Sequence, residues 1–193
     1  MYKKQMNAQR ILCILSVIAS ALVFAYSLGI LTDLYDMLYP ITDGKTDVDV
    51  SLYYDMQSFV RQLEIMGIGL ILVSCTLFIT NTQSRRKYYI SNIVSTLLVF
   101  GCNVAAAVWA HLKLMPYRQR FVDLDFGAIE AFHADAGTPD LVSRSTFWFD
   151  LYWAVFGYAL LVSILLILNL FWKKSLMKQE RELLNGNGKA VSV

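Results

Sequence analysis

Four ionisable side chains stand within or beside long apolar stretches of this sequence: Arg61, Glu64, His111 and Asp150. Titratable groups at membrane depth are costly, so they are candidates for function by default. Arg61 and Glu64 are three residues apart on one helical face and can pair with each other. His111 and Asp150 can pair between neighbouring helices. We expect all four at the same ends of their helices, where they would form one polar pocket.

A pocket of this kind can bind a lipid headgroup, a peptide or a proton. The competing interpretation is that the four side chains snorkel to the membrane interface or lock neighbouring helices together. Asn103 lies deeper, near the middle of its apolar stretch, and we expect it to hydrogen-bond across a helix interface.

No local motif for catalysis, cofactor binding or metal binding accompanies these residues. The sequence has no phosphate-binding glycine loop, no Gly-x-Ser-x-Gly and no His-Glu-x-x-His. His111 and His133 are the only histidines, and all three cysteines fall within apolar stretches, which disfavours zinc and disulfides. The aspartates between residues 33 and 55 do not follow EF-hand spacing. We therefore predict no catalytic residue, no metal and no cofactor.

The apolar stretches that position these residues cover about 11–32, 60–80, 90–112 and 149–172. Each is close to the ~20 helical residues that cross a hydrocarbon core. With 56% hydrophobic and 17% charged residues, the chain is too apolar for a soluble domain of its length. We predict an all-α fold, one four-transmembrane-helix bundle over 1–184, followed by a flexible tail over 185–193.

Basic residues cluster on one side of this predicted bundle. They precede the first span, separate the second from the third, and follow the fourth: Lys3, Lys4 and Arg10; Arg85, Arg86 and Lys87; Lys173, Lys174, Lys178 and Arg181. The positive-inside rule then places both termini in the cytoplasm and the connections 33–59 and 113–148 outside. This predicts a cell membrane, either a plasma membrane or a bacterial inner membrane. The first apolar run exceeds the ~7–15 residues of a signal peptide, so we expect it to be retained.

Two local patterns stand out in the outer connections. Val48, Val50 and Leu52 alternate with polar residues, which predicts a short strand. Residues 121–133 place several apolar side chains on one face, which predicts a short amphipathic helix that lies on the membrane or caps the bundle.

Small residues recur at helical spacing in three of the spans, which allows helices to approach closely where lipid offers no hydrophobic driving force. They are Ala21, Ala25, Gly29, Gly67, Gly101 and Ala105. The main interpretation is packing within the bundle, and the alternative is a homodimer face.

Three functional hypotheses follow. The first is a non-catalytic accessory or assembly subunit that binds another membrane protein, because the chain lacks a reactive motif and has substantial outer connections. The second is a small oligomeric transporter or channel in which Glu64, His111 or Asp150 lines a water-accessible path. The third is an intramembrane enzyme that uses the four charged residues on a lipid-linked substrate. The expected partners are the lipid bilayer and a membrane protein or a second copy, with no nucleic acid.

Overall fold

The fold is entirely helical in the residues that the computed structural model describes, 2–38, 50–82 and 89–190. The elements are α1 (Tyr2–Leu38), α2 (Ser51–Thr82), α3 (Tyr89–Val122), α4 (Phe126–Asp135) and α5 (Phe147–Ala190), with a 3₁₀ turn at Pro139–Leu141 before α5. Helices α1, α2, α3 and α5 are long and apolar enough to cross a membrane. This confirms an all-helical chain with four candidate spans.

The long helices extend well beyond the predicted spans. The 37 residues of α1 measure about 55 Å at 1.5 Å per residue, against a hydrocarbon core of about 30 Å. Residues 33–38, 51–59 and 113–122, predicted as loop, are helical. Their buried side chains, Leu34, Met37, Leu52 and Met56 among them, keep a helical spacing and continue the core. We call the end of the bundle that contains residues 33–38, 51–59 and 113–122 the capped end. The opposite end, where α1 begins, is the basic end.

The predicted strand around Val50 and Leu52 is wrong where the structure describes it. Helix α2 begins at Ser51, and the Tyr53 N–H donates to the Val50 carbonyl oxygen at 3.1 Å. Leu52 and Tyr53 are both buried, whereas a strand with one buried face would bury only one of two adjacent residues. Val48 lies outside the described residues. At the other terminus, residues 185–190, predicted as part of a flexible tail, continue α5 as far as Ala190.

The four long helices form a ring in which each packs on two neighbours. Helix α1 packs on α2 and α5, and α3 packs on the same two helices. The closest approaches use glycine. A Cβ atom on Gly67 of α2 would lie 2.9 Å from the Phe24 backbone of α1, and one on Gly29 would overlap the Trp148 ring. Close packing of α1 on α2 and α5 therefore depends on the absence of a side chain at Gly67 and Gly29.

Helix α4 covers the capped end. Its N-cap is Asp125, whose carboxylate accepts from the Gly127 and Ala128 N–H groups at 3.0 and 3.2 Å. Buried His133 fastens α4 to α1, since its Nε2 lies 3.2 Å from the Met37 carbonyl oxygen. The predicted helix over 121–133 is thus divided, because α3 runs to Val122 and Asp125 starts a new helix.

The glycine at the α1–α2 crossing gives a direct test of this packing. We expect Gly67→Ala to lower the free energy of unfolding by about 1–3 kcal/mol, since the new methyl group would press on backbone and not on a movable side chain. Gly69→Ala is the matched control: no described atom lies within 4 Å of its Cβ position, so stability should be unchanged or slightly higher. Reversible unfolding in mixed micelles measures both. Equal effects of the two variants would contradict the packing.

An ion pair on the cap gives a pH test. Arg144 donates from Nε to Glu130 at 2.6 Å, and this hydrogen bond, followed by the positive charge, holds the pKa of Glu130 below its ordinary value of 4.5. The pair's contribution is therefore complete above pH 4.5 and is lost as the pH falls through the lowered pKa. We expect Arg144→Gln to return the Glu130 titration towards 4.5, measured by carboxyl carbon NMR. An unchanged midpoint would rule out the pairing.

Candidate functional site

Asp150 lies in the first turn of α5 and has two partners. Its Oδ1 accepts from Nη2 of Arg118 on α3 at 3.2 Å, and its Oδ2 accepts from the Thr146 hydroxyl at 2.7 Å. About half of the Asp150 side chain is exposed, so the ion pair lies at the surface of the capped end. The carboxylate thus anchors the start of α5 to the end of α3.

His111 does not pair with Asp150. Its ring lies beside the rings of Tyr152 and Trp153 on α5, with centroids 5.8 and 5.1 Å away. Its Nδ1 is buried and has no hydrogen-bond partner among the described residues. The predicted His111–Asp150 pair is wrong, because one member belongs to an aromatic contact and the other to an arginine.

Arg61 and Glu64 form no ion pair with each other, although both are described. Arg61 is exposed on α2, and Glu64 is half-buried one turn further along. Within the described ranges, no hydrogen bond or ion pair joins any of the four predicted residues to another. The structure therefore does not assemble Arg61, Glu64, His111 and Asp150 into one pocket.

Asn103 takes part in a polar layer at mid-depth. Its amide donates to the Ser163 hydroxyl at 3.0 Å and so links α3 to α5. Across the bundle, the hydroxyls of Ser20 and Ser74 lie 2.8 Å apart and link α1 to α2. Buried polar groups that find partners across helix interfaces hold the helices in register.

A second and larger polar layer lies at the basic end, and sequence reasoning missed it. Its members come from all four long helices and are buried: Gln5, Gln9, Asn81, Asn92, Asn169 and Lys173. The Gln5 amide donates to Gln9 at 3.0 Å and to Asn169 at 3.3 Å, while Gln9 donates to the Asn81 carbonyl oxygen at 3.4 Å. The Lys173 side chain is fully buried. An apolar layer separates this basic-end layer from mid-depth: Cys13, Leu77, Val99, Val162 and Leu166.

Two spacings in the sequence carry a signal for this layer. Gln5 and Gln9 are four residues apart, as are Asn169 and Lys173, and each pair extends the buried face of its helix. From the sequence, Lys173 is only one of the basic residues that set the orientation, so the burial of this side chain in the layer is not predicted. The arrangement ties α1 to α5 and α2 through amide groups, and it places a cation among them.

The small residues predicted to pack helices divide into two groups. Gly29 and Gly67 face neighbouring helices closely, as described above. Ala21, Ala25, Gly101 and Ala105 are exposed on the outside of the bundle. A Cβ atom on Gly101 would meet no described atom within 4 Å. Most of the predicted packing face is therefore unused within a single chain.

An apolar groove of about 600 Å³ runs between α2 and α3 on the outside of the bundle. Its walls include small residues from both helices, and its lining is Gln62, Met66, Gly69, Leu70, Val73, Cys102, Ala105, Ala106 and Trp109. Stacking of Phe59 on Trp109, with centroids 5.4 Å apart, holds the two helices together at the capped end of the groove.

The burial of Lys173 predicts a difference between adjacent lysines. Lys174 is exposed and Lys173 is not, so an amine-reactive label applied to folded protein in nanodiscs should modify Lys173 more slowly by about tenfold or more. Quantitative mass spectrometry of the peptides measures the two rates. After unfolding in strong detergent, the rates should converge, which provides the control. Equal rates in the folded protein would contradict the buried layer.

Comparison with known proteins identifies no relative. No protein-family model, curated protein sequence or solved structure matches this chain. The function has to follow from the side chains and the surfaces described above, because a fold alone does not specify one.

Proposed function

We propose that the protein is a non-catalytic accessory or assembly subunit that holds a transmembrane helix of another membrane protein in the α2–α3 groove. The observation that carries this proposal is the exposed small-residue lining of that groove. In lipid, helices associate through close van der Waals contact, which Gly and Ala permit. Gly69 and Ala105 are positioned for such contact: a Cβ atom on Gly69 would meet no described atom within 4 Å, and Ala105 is exposed.

The groove also offers a polar contact for recognition. Gln62 is exposed at the end of the lining nearest the capped end, and its amide can donate to a partner helix and accept from it. Trp109 adds a large, partly buried surface beside it. A small-residue floor with one amide and one indole at its end fits a single crossing helix better than an aqueous path.

The orientation belongs to the same proposal. Lys3, Lys4 and Arg10 lie in the first turns of α1, and Lys174, Lys178 and Arg181 lie in the last part of α5, all at the basic end. With that end in the cytoplasm of a cell membrane, the cap formed by α4 faces outwards. The partner's helix would then lie beside α2 and α3 within the bilayer, and its outer segment would meet the cap.

The other two hypotheses have no specific observation in their favour. The transporter or channel was argued from Glu64, His111 and Asp150, and the intramembrane enzyme from these residues together with Arg61. Since no hydrogen bond or ion pair joins any two of these described residues, the reason for placing a substrate or ion path among them is removed. The subunit hypothesis depends on none of them.

Substitution in the groove tests the proposal. Ala105→Phe fills the groove, and we expect it to reduce recovery of the partner by about tenfold or more in affinity purification from native membranes. Ala154→Phe makes the same change on the exposed side of α5 and should leave recovery unchanged. Mass spectrometry identifies the partner, and thermal unfolding confirms that both variants are folded.

Three results would count against the subunit function. The first is a wild-type protein that purifies as a lone monomer and crosslinks to nothing in native membranes. The second is recovery that falls equally in the two variants. The third is a homo-oligomer without a second protein, which would favour the transporter or channel and lead next to flux measurements.

A further inference from the structure

A small cavity lies at the capped end, between α1, α2, α3 and the start of α5. Its walls are mainly aromatic and aliphatic, with three polar side chains among them: Ile30, Asp33, Leu34, Tyr53, Met56, Leu114, Phe121, Ser145, Trp148 and Phe149. An apolar cavity with a few convergent polar groups is the usual form of a small-ligand site. It is separate from the α2–α3 groove and does not depend on the proposed function.

Asp33 provides the only carboxylate of the lining. It is half-buried, and the Trp148 indole lies near it. Asp36, one turn along on the same helix, adds a second negative charge nearby. In the part of the chain that the structure describes, no Lys, Arg or His lies within ion-pair distance of Asp33. A partly buried carboxylate of this kind favours a cationic ligand.

Tyr53 supplies a second polar group. Its side chain is 2% exposed, and its hydroxyl finds no hydrogen-bond partner among the described residues. The carboxylate of Asp33 is the charge that acts on this hydroxyl. A buried hydroxyl without a partner is costly, so its presence in a cavity wall points to a bound group that completes it. The Ser145 hydroxyl, on the segment before α5, adds a third oxygen.

The size of the cavity limits what this group can be. The volume is about 20 Å³ on a scale on which one water molecule needs about 10–15 Å³. One compact head therefore fits, and a nucleotide or sugar does not. Four aromatic residues line the cavity, Tyr53, Phe121, Trp148 and Phe149, and an aromatic ring that presents its face to a cation attracts it.

We propose that this cavity binds a primary ammonium group, carried either by a small soluble amine or by an ethanolamine-type lipid headgroup. The N–H bonds of such a group can donate to the Asp33 carboxylate, the Tyr53 hydroxyl and the Ser145 hydroxyl, whose oxygen also accepts from the Phe147 N–H at 3.2 Å. The rest of the ligand would lie outside the cavity. A divalent metal ion is disfavoured, since such ions take several oxygen ligands and the cavity holds one carboxylate.

Titration of ethanolamine into protein in phosphatidylcholine nanodiscs tests the site. We expect saturable binding by calorimetry, together with a shift of the Trp148 indole N–H signal in NMR, because the indole lines the cavity beside Asp33. A Trp148→Phe sample assigns the signal. Tetramethylammonium, which carries a charge but no N–H donor, should bind about tenfold more weakly or not at all.

Matched substitutions connect binding to individual atoms. Asp33→Asn should weaken ethanolamine binding by about tenfold or more, whereas Asp36→Asn, which removes an exposed charge on the same helix, should change it by about twofold at most. Tyr53→Phe removes only the hydroxyl and should weaken binding by several-fold while the fold is kept. Size-exclusion chromatography and thermal unfolding confirm that the variants are folded.

Nanodiscs that contain phosphatidylethanolamine separate the two sources of the ligand. If the lipid headgroup occupies the site, these nanodiscs abolish ethanolamine binding and shift the Trp148 signal without added amine. If the soluble amine is the ligand, titration is the same in both lipids. The proposal is overturned if neither amine source shifts the signal, if tetramethylammonium binds equally well, or if Asp33→Asn binds like the wild type.

Discussion

Every polar group that lies inside a hydrocarbon core must find its partner within the protein, and the rest of this structure depends on that constraint. The backbone meets it with four long helices. The side chains meet it in layers, with the Asn103–Ser163 and Ser20–Ser74 contacts at mid-depth and an amide-rich layer at the basic end. Between these layers the contacts are apolar. The hydrogen bonds of each layer form in only one register, so the two layers together fix the positions of the helices along their axes.

The capped half of the bundle is organised differently. Its core is continuous and rich in aromatic residues, and two buried tyrosines in it donate to backbone carbonyl oxygens: the Tyr26 hydroxyl to Trp148, and the Tyr152 hydroxyl to Ala107. Hydrophobic burial is effective here wherever the helices leave the lipid and meet water. The chain thus combines polar contacts that set helix register, at mid-depth and at the basic end, with core packing typical of soluble proteins at the capped end. The inner faces of the helices pack on one another in this way, whereas four of the small residues, Ala21, Ala25, Gly101 and Ala105, remain exposed on the outside.

The four candidate spans were predictable because their apolar runs have the length that a bilayer imposes. The extensions were not, since the apolar runs pause at Asp33 while the buried spacing of Leu34 and Met37 continues the helix. The contacts between helices were also beyond the sequence, because hydropathy does not encode which helices are neighbours. Asp150 does lie at the α3–α5 interface, but its partner on α3 is Arg118 and not His111, because the sequence does not fix how far the start of α5 reaches towards the end of α3. Lys173 is buried because its side of α5 faces inwards, which its charge does not indicate.

The contact between His133 and the end of α1 affects how the cap formed by α4 can bind other molecules. The His133 imidazole contacts two segments: its Nε2 lies 3.2 Å from the Met37 carbonyl oxygen, and its Nδ1 lies 3.3 Å from both the hydroxyl and the carbonyl oxygen of Thr138. Helix α4 and the turn after it are therefore fixed to the end of α1. A surface held in this way loses little conformational entropy when something docks on it. Force applied to α4 would also pass along α1, a continuous helix of about 55 Å, to the basic end. The two ends of the bundle are therefore mechanically connected through one helix.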